Sequence, residues 1–447
     1  MCKIKSHSKS GFTLVEALIG TAVFMILAVS VYQTYTTVLD TVTSSRTKIT
    51  ATALANEQFE IARNLPYTDV GTVGGIPNGK IPPTQNLTRD NKNFTIRTTV
   101  RSIDDSFDGT IASTTNSDLS PADYRIIELE IACLTCKIFS PMTFTTNIGP
   151  RDLESESTNG SLFVRVFDIN AQPLANANIH ITNNEIFPSL EINDTTNNDG
   201  LLQIVDAPPA VGSYSIIVSK NNYSTEQTYK AGETANPNPI NPNPTVVVRQ
   251  LTQISFFLNY VKNLNIFSQD ENCVAITDID FTLKGTSLIG TEPDILKYNA
   301  TSTTNISGGK TIENLDFDTY TLTMDNSNYI LLGTASSTTI NLNASSTGEI
   351  ELILAEKLTN SLLVTVKDNA GLPISGANIE LLIGTSTVAT EITGPGTAAC
   401  RPAGQALFTN LAPALYNIIV TKLGYQNNSS SLNLGGAWQE KEVILNE

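Results

Sequence analysis

Histidine is almost missing from this chain of 447 residues, which contains only His7 and His180. Because histidine is the usual general base and a common metal ligand at neutral pH, its scarcity disfavours most hydrolase mechanisms and most metal chemistry. Basic residues are few as well: 27 Lys and Arg stand against 43 Asp and Glu, which gives a net charge of −16. So acidic a chain repels phosphate, and nucleic-acid binding is therefore not its expected function.

Cysteine is also scarce, with five residues in the whole chain. Five are too few for a disulfide-stabilised scaffold, although they allow one or two disulfides in an exported protein. Turn-forming residues are plentiful, with 27 Gly and 20 Pro, and only 16% of the residues are charged. This composition is typical of ordered, turn-rich β modules, and the length predicts about three to four of them at ~100–150 residues each.

The longest apolar run lies near the N-terminus, from residue 12 to residue 31. As a helix that rises ~1.5 Å per residue, this run spans the ~30 Å hydrocarbon core of a membrane. Lys3, Lys5 and Lys9 precede it, and the first basic residue after it is Arg46. The positive-inside rule therefore places the N-terminus in the cytoplasm and predicts that everything after about residue 35 is exported.

One carboxylate, Glu16, interrupts the apolar run. A charge costs roughly 2.5–3.5 kcal/mol at the centre of a membrane and less near its edge, so it normally has a partner. A cleaved secretory signal would have a shorter apolar core and an A-x-A-like site, which this segment lacks. A plain signal anchor has the right length, but it gives no reason for Glu16.

The sequence KSGFTLVEA at residues 9–17 offers a third interpretation, because it resembles the type IV prepilin leader junction. The resemblance implies that a prepilin peptidase cuts after Gly11, removes residues 1–11 and methylates the new amino group of Phe12. It also implies that Glu16, then the fifth residue, pairs with the N-terminal ammonium of a neighbouring subunit. That ammonium supplies the counter-charge that the other two interpretations lack.

Apolar residues at helical spacing continue beyond the membrane-spanning run as far as Pro66, which cannot extend a helix. We therefore predict one long helix over residues 12–65, with 12–31 in the membrane. A membrane anchor with a helical spacer would show the same pattern, and the leader resemblance favours a pilin helix that packs into a filament core. Alternating strands over residues 66–157 predict a small antiparallel sheet against the helix, the layout of a minor pilin or pseudopilin head.

A Cys-x-x-Cys sequence, Cys133 to Cys136, lies where the last two predicted strands of this head are joined. A zinc site would need two further ligands from a second such pair, and a thioredoxin-like redox site would need a βαβ setting. The ends of a β-turn lie within ~7 Å of each other, a distance compatible with a disulfide. We therefore predict that Cys133 and Cys136 close the turn as a disulfide.

An internal repeat occupies the rest of the chain. Residues 161–181 align without a gap with residues 361–381, and nine of these 21 positions are identical. A more divergent copy lies between them, in which Tyr320 and Tyr329 keep the nine-residue separation of two tyrosines found in the other copies. We predict three all-β sandwiches and one connecting segment. The predicted bounds are 158–235, 262–356 and 359–447 for the sandwiches, and 236–261 for a stiff, extended Asn/Pro-rich connector with a strand.

The order of strand, Asp-to-Pro turn, Ala-Asn-Ile strand and a Tyr-x-Ile-x-Val-x-Lys-x-x-Tyr block resembles the carboxypeptidase regulatory-like domain, a transthyretin-like sandwich. The resemblance implies no catalytic residue in these modules, and no part of the chain resembles a peptidase. We expect no metal or cofactor: the oxygens of residues 194–200 do not follow the calcium-loop order, and His180 is predicted at a solvent-facing strand position. Cys273 and Cys400 lie in different modules, and pairing with each other, remaining free and bonding elsewhere all stay open.

The predicted fold class is mainly β with one long N-terminal α-helix: a pilin-like α+β head followed by three tandem β-sandwiches. We predict a minor pilin or pseudopilin-like subunit, not an enzyme, held in the inner membrane by a single span with its C-terminus exported, and later part of a cell-surface filament. Expected partners are a prepilin peptidase, other pilin subunits through the helix, and a surface ligand of the sandwiches. The alternative is a membrane-tethered surface adhesin that does not enter a filament.

Overall fold

The computed structural model describes most of the chain. The described residues are 13–107, 109–113, 118, 120–150, 156–324, 328–332, 337–346, 348–394 and 400–447. Within these ranges one long helix is followed by 28 strands. The predicted class, mainly β with a long N-terminal helix, is confirmed.

The long helix, α1, runs from Leu14 to Arg63. It begins after Thr13, which caps its N-terminus, and it ends at Asn64, two residues before Pro66. Only its C-terminal part contacts the rest of the protein. The buried residues of α1 are Thr47, Ala51, Leu54, Ala55, Phe59 and Ala62. Their spacing of three and four places them on one face of the helix, which packs on the head sheet while the N-terminal part projects away.

The head is a four-stranded antiparallel sheet whose strands follow chain order. The strands are β1 (Thr84–Arg89), β2 (Lys92–Ile103), β3 (Tyr124–Cys133) and β4 (Met142–Ile148). A 3-10 turn (Tyr67–Asp69) and a Gly/Pro-rich loop connect α1 to β1. That loop is tightly folded, since a Cβ at Gly71 would lie 2.2 Å from the carbonyl oxygen of Pro77. In β3 the buried Ile127 and Ile131 alternate with half-exposed glutamates, as the sequence pattern predicts.

The first sandwich packs a three-stranded sheet, in the order β11-β5-β8, against a four-stranded sheet, in the order β10-β9-β6-β7. Its strands are β5 (Gly160–Asp168), β6 (Asn178–Asn183), β7 (Leu190–Thr195), β8 (Leu201–Ala207), β9 (Ser215–Ser219), β10 (Glu226–Gln227) and β11 (Leu251–Leu258). Strand β11 pairs in parallel with β5. The sequence pattern predicts this strand as part of the connector, but it completes the first sandwich, which therefore extends well beyond residue 235.

The second sandwich also has two main sheets, in the orders β17-β12-β21-β19 and β16-β13-β18-β20. A small hairpin of β14 and β15 lies beside them. The strands are β12 (Val261–Gln269), β13 (Asp280–Lys284), β14 (Leu288–Gly290), β15 (Ile295–Leu296), β16 (Asn299–Thr303), β17 (Gly309–Asp316), β18 (Asp318–Met324), β19 (Tyr329–Leu331), β20 (Ser337–Leu342) and β21 (Glu349–Glu356).

The third sandwich repeats the topology of the first, with sheets in the orders β25-β22-β28 and β24-β23-β26-β27. Its strands are β22 (Leu362–Lys367), β23 (Asn378–Ile383), β24 (Ser386–Ile392), β25 (Gln405–Phe408), β26 (Ala414–Thr421), β27 (Asn428–Leu434) and β28 (Gln439–Ile444). In all three modules the first strand pairs in parallel with the last: β5 with β11, β12 with β21, and β22 with β28. The divergent middle copy is thus the same fold.

A buried tyrosine occupies the same place in each sandwich and returns a hydrogen bond to the backbone. The hydroxyl of Tyr214 donates to Pro208 O at 2.6 Å. The hydroxyl of Tyr320 donates to Asp316 O at 2.9 Å, and that of Tyr416 makes the equivalent bond four residues upstream at 2.7 Å. All three rings are at most 1% exposed. These tyrosines explain the tyrosine-containing blocks that revealed the repeat.

We expect Tyr320→Phe to lower the free energy of unfolding of the second sandwich by about 1–3 kcal/mol. The ring and its packing remain, but the partly buried carbonyl of Asp316 loses this donor. Urea unfolding measures the loss. Tyr298→Phe is the matched control, because the Tyr298 hydroxyl lies in the same module and makes no hydrogen bond among the described residues. Equal losses in the two variants would contradict this role of the Tyr320 hydroxyl.

One glycine position is also shared by the three sandwiches. Gly200 and Gly404 have φ values of +66° and +73°, and each carbonyl accepts a hydrogen bond from the first strand of its module. In the middle copy Gly308 fills this place, with a φ of +69° and its carbonyl 2.8 Å from Ser268 N. The left-handed conformation favours glycine, so Gly308 is the structural equivalent.

The Asn/Pro-rich segment 236–244 is folded against the modules on both sides. Asn236 is 6% exposed, and its Nδ2 donates to Ile289 O of the second sandwich at 3.0 Å. Ile240 N donates to the same carbonyl at 3.0 Å. On the other side Tyr229 N donates to Asn241 O at 2.9 Å. These hydrogen bonds dock the predicted connector onto two modules at once.

The second and third sandwiches are joined covalently by a disulfide between Cys273 and Cys400, whose Cα atoms are 5.2 Å apart. This resolves the pairing that the sequence left open. A small apolar cluster lies at the same junction. Its buried members are Leu332, Ala355 and Leu363, with Ile330, Ile353, Leu407 and Trp438 packed against them. The last two modules are therefore held together by both a covalent bond and apolar contact.

Candidate functional site at the N-terminal helix

The first turn of α1 is organised around Glu16. Its Oε2 accepts hydrogen bonds from Thr13 N at 3.0 Å and from Thr13 Oγ1 at 2.8 Å. In return Glu16 N donates to Thr13 Oγ1 at 3.3 Å, which completes a capping box. Among the described residues, Oε1 of Glu16 has no hydrogen-bond partner. The predicted cleavage position, Gly11, and the predicted methylated residue, Phe12, lie outside the described residues.

The apolar part of α1 carries its side chains in the open. Leu14, Phe24 and Val31 are 80%, 70% and 69% exposed. An 18-residue window of this helix has a mean hydropathy of 2.3, and none of that window is buried. An apolar surface of this extent is stable only when lipid or protein covers it. The N-terminal part of α1 is a single-pass membrane anchor.

Exposed apolar residues continue on α1 between the membrane-spanning run and the head. This second group, which we call the juxtamembrane stripe, is 44–67% exposed. It consists of Tyr32, Tyr35, Val38, Leu39 and Val42. The segment from residue 32 to residue 46 adds about 22 Å of helix before the first buried contact at Thr47. Residues 12–31 already span the ~30 Å of a hydrocarbon core, so this segment extends past that length.

Polar contacts fix the angle at which α1 leaves the head. Arg89 contacts Glu57 at 3.1 Å, and Thr50 Oγ1 donates to Asp90 Oδ2 at 3.0 Å. These contacts join the β1–β2 hairpin to the helix. They add to the apolar packing of Leu54 against the sheet, so the projecting half of α1 has a defined direction.

The structure joins Cys133 and Cys136 in a disulfide, with Cα atoms 5.5 Å apart. The disulfide lies directly after β3, at the end of that strand. Leu134 N donates to Asn93 O at 2.9 Å, and Asn93 N donates to Thr135 Oγ1 at 3.1 Å. These bonds attach the turn to β2. Both cysteines are thus engaged in holding one corner of the head.

The other residues weighed in the sequence are used structurally. His180 lies on β6 with Nδ1 2.7 Å from Asn193 Oδ1. In the acidic tract that begins at Asp194, Asn197 Oδ1 accepts from Asp199 N at 2.9 Å and so closes a turn. Across the described residues no group of three or more His, Cys, Asp or Glu side chains is arranged to hold a metal ion.

Arg101 on β2 makes an ion-pair cluster that the sequence analysis missed. Its Nε donates to Asp194 Oδ2 of the first sandwich at 2.6 Å, and its Nη1 contacts Glu128 Oε2 at 3.1 Å. The Asp194 side chain is only 7% exposed. Burial lowers the pKa of Arg101, but hydrogen bonds to Asp194 and Glu128 outweigh it and raise the pKa above its ordinary value. The cluster fastens the head to the first sandwich.

We expect Arg101→Ala to lower the free energy of unfolding by about 2–3 kcal/mol. This loss lies between that expected for breaking a solvent-exposed ion pair and that expected for breaking a fully buried one. The buried carboxylate of Asp194 would lose its counter-charge. Thermal or chemical denaturation measures the effect. Arg97→Ala on the same strand is the control, because Arg97 is 72% exposed and lies 3.9 Å from Glu130. A loss no larger than that of the control would contradict the role of Arg101.

Comparison with known proteins identifies the N-terminal segment. The prokaryotic N-terminal methylation motif matches residues 6–32. No curated protein sequence matches the chain. This motif covers the apolar run and includes Gly11, Phe12 and Glu16, so it agrees with the leader junction predicted from the sequence.

Several solved structures share a distant likeness. The Bacillus anthracis TIE protein is 14% identical, with 72% of this chain and 59% of that chain covered and a TM-score of 0.21. The streptococcal ancillary pilin is 11% identical, with 65% and 99% covered and a TM-score of 0.21. The shaft pilin SpaA from Lactobacillus rhamnosus GG is 12% identical, with 42% and 97% covered and a TM-score of 0.17. TM-scores this low establish neither a common arrangement nor a common function.

The methylation motif and the exposed apolar helix characterise the N-terminal segment. This segment is a single-pass membrane anchor that carries the prokaryotic N-terminal methylation motif. Three β-sandwich repeats follow the head formed by α1 and its four-stranded sheet. The resemblance of these repeats to the carboxypeptidase regulatory-like domain stays a resemblance.

Proposed function

We propose that the chain matures into a minor pilin or pseudopilin subunit of a type IV pilus-like filament and displays its three sandwiches at the cell surface. The observation that carries this proposal is the continuity of the methylation motif with the exposed face of α1. A prepilin peptidase would cut between Gly11 and Phe12 and methylate Phe12. The protein would then act through assembly and display and not through catalysis.

Before assembly, the proposed anchor is the apolar run from residue 12 to residue 31, with the head and the sandwiches exported across the inner membrane. During assembly, Glu16 would pair with the Phe12 ammonium of a neighbouring subunit. Thr13 already satisfies Glu16 Oε2, and Oε1 remains for the incoming charge. Such a charge-assisted hydrogen bond is stronger where water is scarce, as it is between packed apolar helices.

The juxtamembrane stripe favours a helix that packs against neighbouring pilin helices over a helix that only tethers the protein to the membrane. A tether needs only enough apolar length to cross the membrane, and polar residues would serve it equally well beyond that point. In this chain Tyr35 and Leu39 are 60% and 47% exposed, although they follow the membrane-spanning run. Neighbouring pilin helices would cover these side chains in a filament core.

The sandwiches favour a tip or a sparsely occupied position in the filament. Contacts at each junction hold the head and the three modules together: the Arg101 cluster, the docked segment 236–244 and the disulfide between Cys273 and Cys400. Three modules on every subunit would crowd the side of a filament. A position at the tip leaves them free to contact a surface ligand.

Fractionation of cells with and without the prepilin peptidase tests the proposal. We expect the protein in sheared surface filaments of cells that have the peptidase, and only in membranes of cells that lack it. An antibody against the third sandwich follows the protein in both fractions. Recovery only from membranes in both strains would contradict the proposal and favour the tethered adhesin.

A further inference from the structure

A polar cleft of about 500 Å³ lies between the first and second sandwiches. Its first wall contains Asn178 at the start of β6 and residues 219–225, which follow β9. Its second wall contains Lys297 and Tyr298 before β16, and residues of β17 and β18. The volume falls within the ~300–1,000 Å³ typical of small-molecule sites. Both modules are needed to form this cleft.

The charged side chains of the cleft are already paired within the protein. Lys297 contacts Glu226 of the first sandwich, and its Nζ lies 2.6 Å from Asp316 Oδ2 of the second. Asp318 Oδ2 accepts hydrogen bonds from the backbone N–H groups of Thr286 and Ser287, both at 2.9 Å. The charged residues that line the cleft are two lysines, Lys220 and Lys297, and two carboxylates, Asp316 and Asp318, so their charges balance. The Nζ of Lys220 is also engaged, because it donates to Ala175 O. These walls therefore favour a neutral ligand.

The other side chains that line the two walls are mostly neutral polar groups and aromatic rings. The amides and hydroxyls belong to Asn178, Ser219, Asn221, Asn222, Thr225 and Asn314. Asn221 and Thr225 are exposed to the cleft, and their side chains have no hydrogen-bond partner in the described part of the chain. Tyr223 and Tyr298 add aromatic surface. Amides and hydroxyls both donate and accept hydrogen bonds, as sugar hydroxyls do, and the negative faces of aromatic rings attract sugar C–H groups.

The two walls are held in a fixed relation. Tyr223 packs against Tyr260 with ring centroids 4.7 Å apart and ring planes tilted by 32°. Ser224 N donates to Asn259 O at 2.8 Å, and Asn259 N donates back to Ser224 Oγ at 3.0 Å. The contacts of Lys297 with both modules close the same junction. A preformed cleft loses little conformational entropy when a ligand binds.

We propose that this cleft binds a short neutral oligosaccharide. The neutral amides and hydroxyls would hydrogen-bond the sugar hydroxyls, and the tyrosine rings would pack on its C–H faces. An apolar ligand would bury the side chains of Asn221 and Thr225 without hydrogen-bond partners. The site is remote from α1, so binding does not depend on filament assembly, and the two proposals fail or hold separately.

Binding is tested on the full-length protein in detergent micelles. The probes are maltotriose, cellotriose and triacetylchitotriose, with trigalacturonic acid as an anionic trisaccharide, and the readouts are saturation-transfer NMR and calorimetry. We expect at least one neutral trisaccharide to bind and the double variant Asn221→Ala/Thr225→Ala to weaken it by about tenfold or more, as expected for two lost hydrogen bonds. Both positions are exposed, so the fold is expected to remain.

The control is Asn427→Ala/Thr387→Ala, which removes the same two side chains from exposed positions of the third sandwich. It should leave the affinity unchanged. The proposal is overturned if none of the neutral trisaccharides binds, or if the cleft variant binds as tightly as the parent protein. Tighter binding of trigalacturonic acid than of every neutral probe would also overturn it.

Discussion

Glu16→Ala is expected to remove the protein from sheared filaments while leaving it inserted in the membrane. The substitution makes the apolar run more hydrophobic, so insertion is not impaired. The Phe12 ammonium of the neighbouring subunit, however, would enter the helix core without a counter-charge. That costs roughly 2.5–3.5 kcal/mol, or about a hundredfold in incorporation. Immunoblots of the sheared and membrane fractions measure the ratio.

Asp40→Ala is the matched control for Glu16→Ala. Asp40 is an exposed carboxylate on the same helix, beyond the membrane-spanning run, and its loss should not change incorporation. Thr13→Ala separates capping from assembly, because it removes the hydroxyl that caps the helix but keeps the Glu16 charge. Normal incorporation of the Glu16→Ala variant into filaments would contradict the proposed charge pair.

Loss of the disulfide between Cys273 and Cys400 has the largest expected effect on stability. The two cysteines are 127 residues apart in sequence, so the bond closes a long loop in the unfolded chain. In the chain-entropy model a loop of this length is worth about 4–5 kcal/mol. We expect Cys273→Ser/Cys400→Ser to lower the unfolding free energy of the last two modules by that amount. The small apolar cluster around Leu363 is then the main remaining contact at this junction.

Fluorescence of Trp438 reports on this junction, because it is the only tryptophan in the sequence and packs against the apolar cluster there. Cys133→Ser/Cys136→Ser is the control. The disulfide that it removes lies in the head and closes a loop of only three residues, so it is expected to contribute only about 2 kcal/mol to the unfolding free energy. The Trp438 unfolding transition should move to lower denaturant in the first variant and stay in place in the second. An unchanged Trp438 transition in both variants would contradict the proposal that the disulfide between Cys273 and Cys400 stabilises the last two modules.

Local patterns predicted the elements that depend on neighbouring residues. The apolar period of α1, its stop at Pro66 and the alternation in β3 are all properties of short windows of sequence. The repeat also follows from sequence, because each copy keeps the tyrosine whose hydroxyl bonds the backbone, as Tyr416 does. The leader junction around Glu16 could be recognised in the sequence for the same reason, because its residues are adjacent in the chain.

Features that depend on distant residues could not be predicted. From its neighbouring residues alone, strand β11 looks like a continuation of the connector. Only its parallel pairing with β5 assigns it to the first sandwich. The contact between Arg101 and Asp194 joins residues 93 positions apart in two different modules. The cleft beside Lys297 exists only once two sandwiches are packed together. No short pattern encodes any of these, because each depends on the relative placement of modules.

The central claim is that the chain is processed as a prepilin and assembled, and the N-terminal residue tests it most directly. Mass spectrometry would determine that residue in protein from sheared filaments and, separately, from membranes. A methylated Phe12 in the filament fraction is the predicted result. An unprocessed Met1 found only in membranes would contradict the claim, because Gly11 and Glu16 would then have no role in processing or assembly.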